Sequence, residues 1–252
     1  MTSAQDIPLH TIQQYKSLRA SVTEALRTAI IVGDLEEGRL YSAPALAEPL
    51  GVSATPVREA MMDLAGEGLV ISVKNKGFRV TVMTPRDLEE MAEVRTLLEA
   101  PVVRDLAGTI PAPDYASLHR LADEVTAAAE AGDLRTYLSG DRKFHADLLR
   151  CSGNTLLVEL ATRLRGQTRL KALRPLAEAG VLVDSAREHT QLLELMEAGD
   201  AAGTYDLIVT HIGHVSRLWA QGVGSEPAET PAASTTSDTA AALMEGPGSG
   251  SG

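Results

Sequence analysis

The chain has almost no cysteine. A single thiol, Cys151, stands in 252 residues, so an intrachain disulfide framework is excluded. Long hydrophobic runs are missing too: no apolar stretch reaches the roughly 18 residues that a membrane-spanning helix needs. The opening MTSAQDIPLH has neither the basic start nor the apolar stretch of a secretory signal. A cytoplasmic location with no membrane partner is expected by default. What remains, 44% hydrophobic and 23% charged residues, is ordinary and sufficient for two globular domains.

Net charge is -11, which at first argues against a nucleic-acid partner. The acidity is unevenly spread, however. Residues 1–83 carry 8 Lys/Arg and 9 Asp/Glu, residues 84–224 carry 15 and 21, and the remainder carries 0 and 4. The first third is therefore nearly neutral, which predicts modest non-specific affinity for DNA rather than none.

Apolar residues Leu18, Val22, Leu26, Ala29 and Ile30 recur at helical spacing between Tyr15 and Val32, and Gly33 follows as a helix stop. After a turn at Glu37 and Gly38, Ser42 is placed to cap a short helix through Leu46 to Leu50, within which Pro49 is not expected. A break at Gly51 leads to a second helix that opens at Thr55-Pro56 and runs to Gly66. The stretch LVISVKNKGFRVTV is β-branched on both sides of Lys74-Asn75-Lys76-Gly77, which predicts a hairpin. Helix, tight turn, helix and hairpin together predict a winged helix-turn-helix.

From Pro85 strand signals are absent. Helices are predicted at about 85–107, 113–131, 133–151, 154–173, 182–198 and 201–221, the first kinked by Pro101. From Gly222 the chain is rich in Ala, Thr, Ser, Pro and Gly and poor in large apolar residues, a composition that predicts disorder. The fold class expected is thus mainly α. A DNA-binding winged helix-turn-helix (1–83) precedes an antiparallel all-α bundle of six or seven helices (84–222) and a disordered tail (223–252).

In a helix-turn-helix the second helix enters the major groove, with its first turn facing base edges and its opening amides facing phosphate. That turn is Ser53-Ala54-Thr55-Pro56-Val57-Arg58. Thr55 and Arg58 can reach bases or phosphates, Arg58 with the fork that matches guanine, while Val57, Met61 and Leu64 are expected in the core. Ser53 and Pro56 at the helix start, with Lys76 and Gly77 in the wing, complete the predicted DNA-binding set. The run LGVSATPVREAMMDLAGEGL, with ALRTAIIVGDLEEGRL before it and GFRV after it, resembles the winged helix of the GntR family, FadR-like branch. Many relatives carry a basic residue where Ala54 stands and a basic or polar one where Pro44 stands, so the resemblance implies fewer charged contacts here.

The second half carries its own chemical signal. Leu134, Tyr137, Leu138, Asp141, His145 and Leu148 form one helical stripe, placing an acid and a histidine among apolar positions. A buried carboxylate is costly unless paired or bound to a metal. Ala186, His189, Leu193 and Met196 form a second such stripe, and Ile208, His211, Ile212, Val215 and Leu218 a third. One Asp and three His from three helices suit a divalent first-row cation, zinc first, with nickel and manganese as alternatives because the shell selects weakly. His10 and His119 lie off these stripes and His214 at their edge. Arg95 shares the stripe Leu88, Met91, Leu98, Val102, where its guanidinium suits a carboxylate ligand or else an internal salt bridge with Asp141 or Glu99. Arg142 and Arg165 are lesser candidates.

EVRTLLEA, DRKFHADLLRCSGN, REHTQLLELMEAGD and THIGHV resemble the all-helical (FCD) effector domain of FadR-like regulators. The resemblance implies a central cavity, a metal held by Asp141, His145, His189 and His211, and a carboxylate effector that completes its coordination near Arg95. It also implies repression that is released by a small organic acid. A homodimer on a palindromic double-stranded operator is expected because two recognition helices on a two-fold axis give a small module enough contact for specificity. A metal-dependent hydrolase and a constitutive DNA-binding protein with a structural metal are the other readings. An enzyme is not expected, since no inward acid besides Asp141 is evident as a general base.

Overall fold

Helix α1 (Leu18–Val32) buries Val22, Leu26, Ile30 and Ile31 and stops where Gly33 takes a φ of 93°. Residues 18–168, 177–178 and 180–220 are described by a computed structural model, the side chains of 215–220 excepted. The expectations for Tyr15, for His10, for 169–173 and for the tail fall outside the described residues.

Strand β1 (Leu40–Tyr41) leads into helix α2 (Ala43–Leu50), capped by Ser42, whose hydroxyl accepts the Ala45 N–H at 3.3 Å. Ser42→Ala is expected to lower stability by about 1 kcal/mol, read as a lower urea midpoint with an unchanged slope. Pro49 stands exposed in the last turn of α2, where only one intrahelical bond, to Ala45, is forgone before Gly51 ends the helix at φ 65°.

Helix α3 (Ala54–Gly66) buries Val57, Ala60, Met61 and Leu64 completely against α1 and α2. Strands β2 (Val70–Val73) and β3 (Gly77–Val80) form the expected hairpin in a sheet of order β1-β3-β2, all antiparallel. Gly77 has φ 129°, and a Cβ there would lie 2.2 Å from the Tyr41 carbonyl oxygen, so β1 can pair only with a glycine at this position. β1 itself was not foreseen, because two residues are too short to show alternation.

Helix α4 (Pro85–Leu106) opens with a reciprocal capping box between Thr84 and Asp87 and runs on through Pro101 without interruption. It is followed by α5 (Ala112–Glu130), α6 (Leu134–Arg150), α7 (Thr155–Thr168), α8 (Val181–Glu197) and α9 (Ala201–Ala220). α4 packs on α7 and α9, α5 on α6 and α8, α6 on α7, and α8 on α9. One apolar core fills the bundle from Ala100 and Val103 to Ile208 and Ile212. A second begins in the winged helix-turn-helix and continues into Val125, Ala128, Tyr137, Leu138, Leu182 and Ala186. The winged element is therefore seated on one end of the bundle by buried apolar surface.

Candidate DNA-reading face and candidate metal centre

The burial of Val57, Ala60, Met61 and Leu64 turns the opposite side of α3 outward, so Ser53, Thr55 and Arg58 are exposed and Pro56 is partly so. Ser53 occupies the N-cap position, but its hydroxyl makes no capping bond, which leaves the first amides of α3 without a side-chain partner there. The hairpin turn folds over the same side. Arg58, Lys74, Lys76 and Gly77 line one concavity together with Ser42, the cap of α2, and Pro44 of α2. Every basic residue of this wall is supplied by α3 or by the hairpin turn. Lys74 was absent from the sequence-based set, although it shares the turn that identified Lys76.

In the bundle, Asp141 and His145 come from α6, His189 from α8 and His211 from α9, all at most 6% exposed. The Nε2 atoms of His145 and His189 are 3.0 Å apart. Asp141 Oδ1 lies 3.7 Å from His189 Nε2 and 4.0 Å from His145 Nε2. The three imidazoles each offer a nitrogen within 4.8 Å of the others. Atoms that share one ion at about 2.1 Å stand roughly 3.4 Å apart in a tetrahedral shell, so this donor set fits a divalent cation. Burial, ahead of the neighbouring Arg165, His189, His211 and Arg95, pushes His145 well below its ordinary pKa and keeps it neutral, the form that ligates.

Sequence reasoning missed the group that orients this set. Glu188 Oε2 accepts from Nδ1 of His211 at 2.9 Å and lies 3.2 Å from Nδ1 of His214. Burial would raise the Glu188 carboxyl, but the hydrogen bond from His211 and the nearby His214 outweigh it and hold its pKa at about 2. An ionised carboxylate only accepts, so the His211 proton sits on Nδ1 and its Nε2 lone pair faces the cavity. His211 is lowered by burial, an effect that the Glu188 bond partly offsets. The available signal was the Glu188-His189 pair itself, but no periodicity could tie Glu188 to a residue on another helix.

Two arginines are buried beside the same cluster. Arg95, 3% exposed, donates to Glu99 Oε1 at 2.7 Å and Oε2 at 3.3 Å, four residues along its own helix. The internal salt bridge weighed for Arg95 is thus present. Glu99, one of the two partners weighed for Arg95, is only 1% exposed, so Asp141 is not the one inward acid. Arg165 of α7, 5% exposed, grips Asp141 with Nε at 3.0 Å and Nη2 at 2.8 Å, and the same Nη2 lies 3.4 Å from His211 Nε2. His119 stands apart from this cluster, 3.3 Å from Glu197.

The helices that carry the site also touch the winged element. Gln167, two residues beyond Arg165, donates to the backbone carbonyl of Glu67 at 2.6 Å, directly past the end of α3. Arg142, next to Asp141, lies 3.4 Å from Glu24 of α1, and Arg27 binds both Glu24 and Glu67. Burial, then the nearby Arg27, lowers the Arg142 pKa.

A winged helix-turn-helix joined to a helical bundle defines a DNA-binding transcriptional regulator. Residues 18–80 match the model for bacterial regulatory proteins of the gntR family, and residues 90–214 match the FCD domain. The chain is 30% identical over 207 residues to a "Probable D-xylose utilization operon transcriptional repressor" of Paenarthrobacter nicotinovorans, covering 77% of this chain and 87% of that one. The gluconate operon transcriptional repressor of Bacillus subtilis (strain 168) is 27% identical over 144 residues, 57% of this chain and 59% of the relative. Among solved structures, E. coli McbR/YncC superposes with a TM-score of 0.71 at 26% identity, over 82% of this chain and 100% of that chain. The chain belongs to the GntR family of transcriptional regulators, with an FCD domain behind its winged helix-turn-helix. Relatives and families alike are regulators and not enzymes. No helix among the described residues is long and apolar enough to cross a membrane.

Proposed function

We propose that the chain is a repressor whose operator affinity is set by a small organic acid bound at a cation site in the bundle. The observation that carries this reading is the convergence of Asp141, His145, His189 and His211 in one buried cluster, with the carboxylate Glu188 at its edge. A divalent cation there, zinc or else nickel or manganese, would supply a Lewis-acidic centre for a carboxylate oxygen. In this reading Asp141 and the three Nε2 atoms hold the ion, Glu188 fixes the His211 tautomer, and the apolar wall around Phe144 keeps water out. Arg95, held by Glu99, stands beside the acid as a binding residue.

Residues 1–83 are assigned to DNA reading, with Ser53, Thr55, Pro56, Arg58, Lys76 and Gly77 at the duplex, and residues 84–222 to sensing and pairing. A homodimer on a palindromic operator places two α3 helices one helical turn of DNA apart and doubles a small contact. Sedimentation at micromolar concentration is expected to give twice the monomer mass. Lys76→Ala is expected to weaken operator and non-operator DNA alike, with a shallower salt dependence, as the loss of a phosphate contact does.

The test of sensing is thermal unfolding of the zinc-loaded protein against a panel of sugar acids, hydroxy acids, amino acids and dicarboxylates. A sensor gains about 1.4 kcal/mol for each tenfold rise of the cognate acid above its Kd, with no such gain after the ion is removed by chelator. A purely structural cation would leave unfolding indifferent to every acid while the chelator still lowered it.

A further inference from the structure

Arg165 occupies ground that the proposed cation needs. Its Nη2 is 2.8 Å from Asp141 Oδ1 and 3.4 Å from His211 Nε2, so one guanidinium nitrogen lies against two of the four ligand groups. Among the described residues, the charged and titratable groups around it are Arg95 and Glu99 from α4, Asp141 and His145 from α6, Glu188 and His189 from α8, and His211 and His214 from α9. Arg95 and Glu99 cancel one another, as Arg165 and Asp141 do. Glu188 is turned towards the Nδ1 edges of His211 and His214. Among the described residues only the Glu188 carboxylate is left uncancelled, so a divalent ion brings more positive charge than this buried cluster balances, and it claims the Asp141 oxygens and the His211 nitrogen that Arg165 now uses. Like charge repels Arg165 from that position, and the same surplus calls for an anion.

We propose that Arg165 is an exchangeable counter-ion: it stands in for the cation at Asp141, and on cation binding it is handed over to the acid group of the effector. This rests on the cation reading of the Asp141 site. Arg165 and not Arg95 then makes the acid's principal ion pair, because the Arg95 partner Glu99 is no ligand of the cation and is not taken away. The ligand class is a small carboxylate that bridges the cation and a guanidinium fork. The exchange also moves the segment that carries Gln167, whose amide holds the Glu67 carbonyl just past the end of α3.

The experiment is calorimetric titration of chelator-stripped full-length protein with Zn2+, with and without acetate as the carboxylate probe. Wild type is expected to bind one Zn2+ per chain, more tightly with acetate present. Arg165→Met removes the competitor for Asp141 and should bind Zn2+ at least about tenfold more tightly, with the acetate effect gone. Arg165→Lys keeps a charge but loses the fork. Its acetate effect should shrink while its Zn2+ affinity stays at or above that of wild type, and this variant decides the matter if Arg165→Met does not fold. Weaker Zn2+ binding in both variants, or an acetate effect that survives in Arg165→Met and vanishes in Arg95→Met, would overturn the exchange. An acetate-insensitive wild type that still binds Zn2+ would also overturn it while leaving the cation site standing. Absence of stoichiometric Zn2+ binding in wild type would instead remove the cation reading itself.

Discussion

His189→Ala is expected to lower affinity for the divalent cation by more than about 100-fold, since the loss of even an outer partner of a ligand costs 10- to 100-fold. His189 is 1% exposed, with Nε2 3.0 Å from His145 Nε2 and 3.7 Å from Asp141, so no surface residue can take its place. Removal of its imidazole leaves Asp141, His145 and His211 around a void beside Phe144, whose ring centroid lies 4.4 Å from that of His189. Metal content after gel filtration is the measurement. A variant that kept one ion per chain at wild-type affinity would show that the ligands are not these. The proposed DNA-reading face lies on another element, so DNA binding by the stripped variant should match that of the stripped wild type.

Arg58→Ala is expected to weaken operator binding by about 1 to 3 kcal/mol, roughly 5- to 150-fold, and to relax discrimination against point-substituted operators. Arg58 follows directly on the completely buried Val57, so it leaves the winged element on the outward side of α3, where it shares a concavity with Lys74 and Lys76. Its loss should leave the metal content unchanged. Competition binding at fixed salt checks this, because phosphate contacts are strongly salt-dependent and would otherwise mask a base contact. Equal losses on operator and random DNA would make Arg58 a phosphate contact and place the reading elsewhere.

Much of this molecule was legible in its sequence, for identifiable reasons. The stripes through Asp141, His145, His189 and His211 could be read because helical periodicity specifies a face, and polar residues on an apolar face stand out. Arg58 and the burial of Val57, Met61 and Leu64 follow from the same rule on α3. What could not be read depends on contacts between elements. β1 exists only through its pairing with β3, Glu188 matters only because α8 and α9 are neighbours, and the facing of Arg165 is set by where α7 meets α6. Arg95 shows both sides: its inward position was legible, yet its partner Glu99, four residues on along the same helix, was weighed only as one of two. Gln167 carried no signal at all, since its role is defined by the end of a helix a hundred residues earlier.

The claim that joins the two halves is that occupancy of the bundle cavity changes affinity for DNA. It is tested most directly by the dissociation constant of the zinc-loaded protein for DNA from upstream of its own gene. The constant is to be measured by fluorescence anisotropy at one salt concentration, with and without the acid that most raises thermal stability. Coupling of the usual size predicts a 5- to 150-fold weakening with the acid, abolished in His189→Ala. An acid that stabilises the protein yet leaves the DNA dissociation constant unchanged would contradict the account.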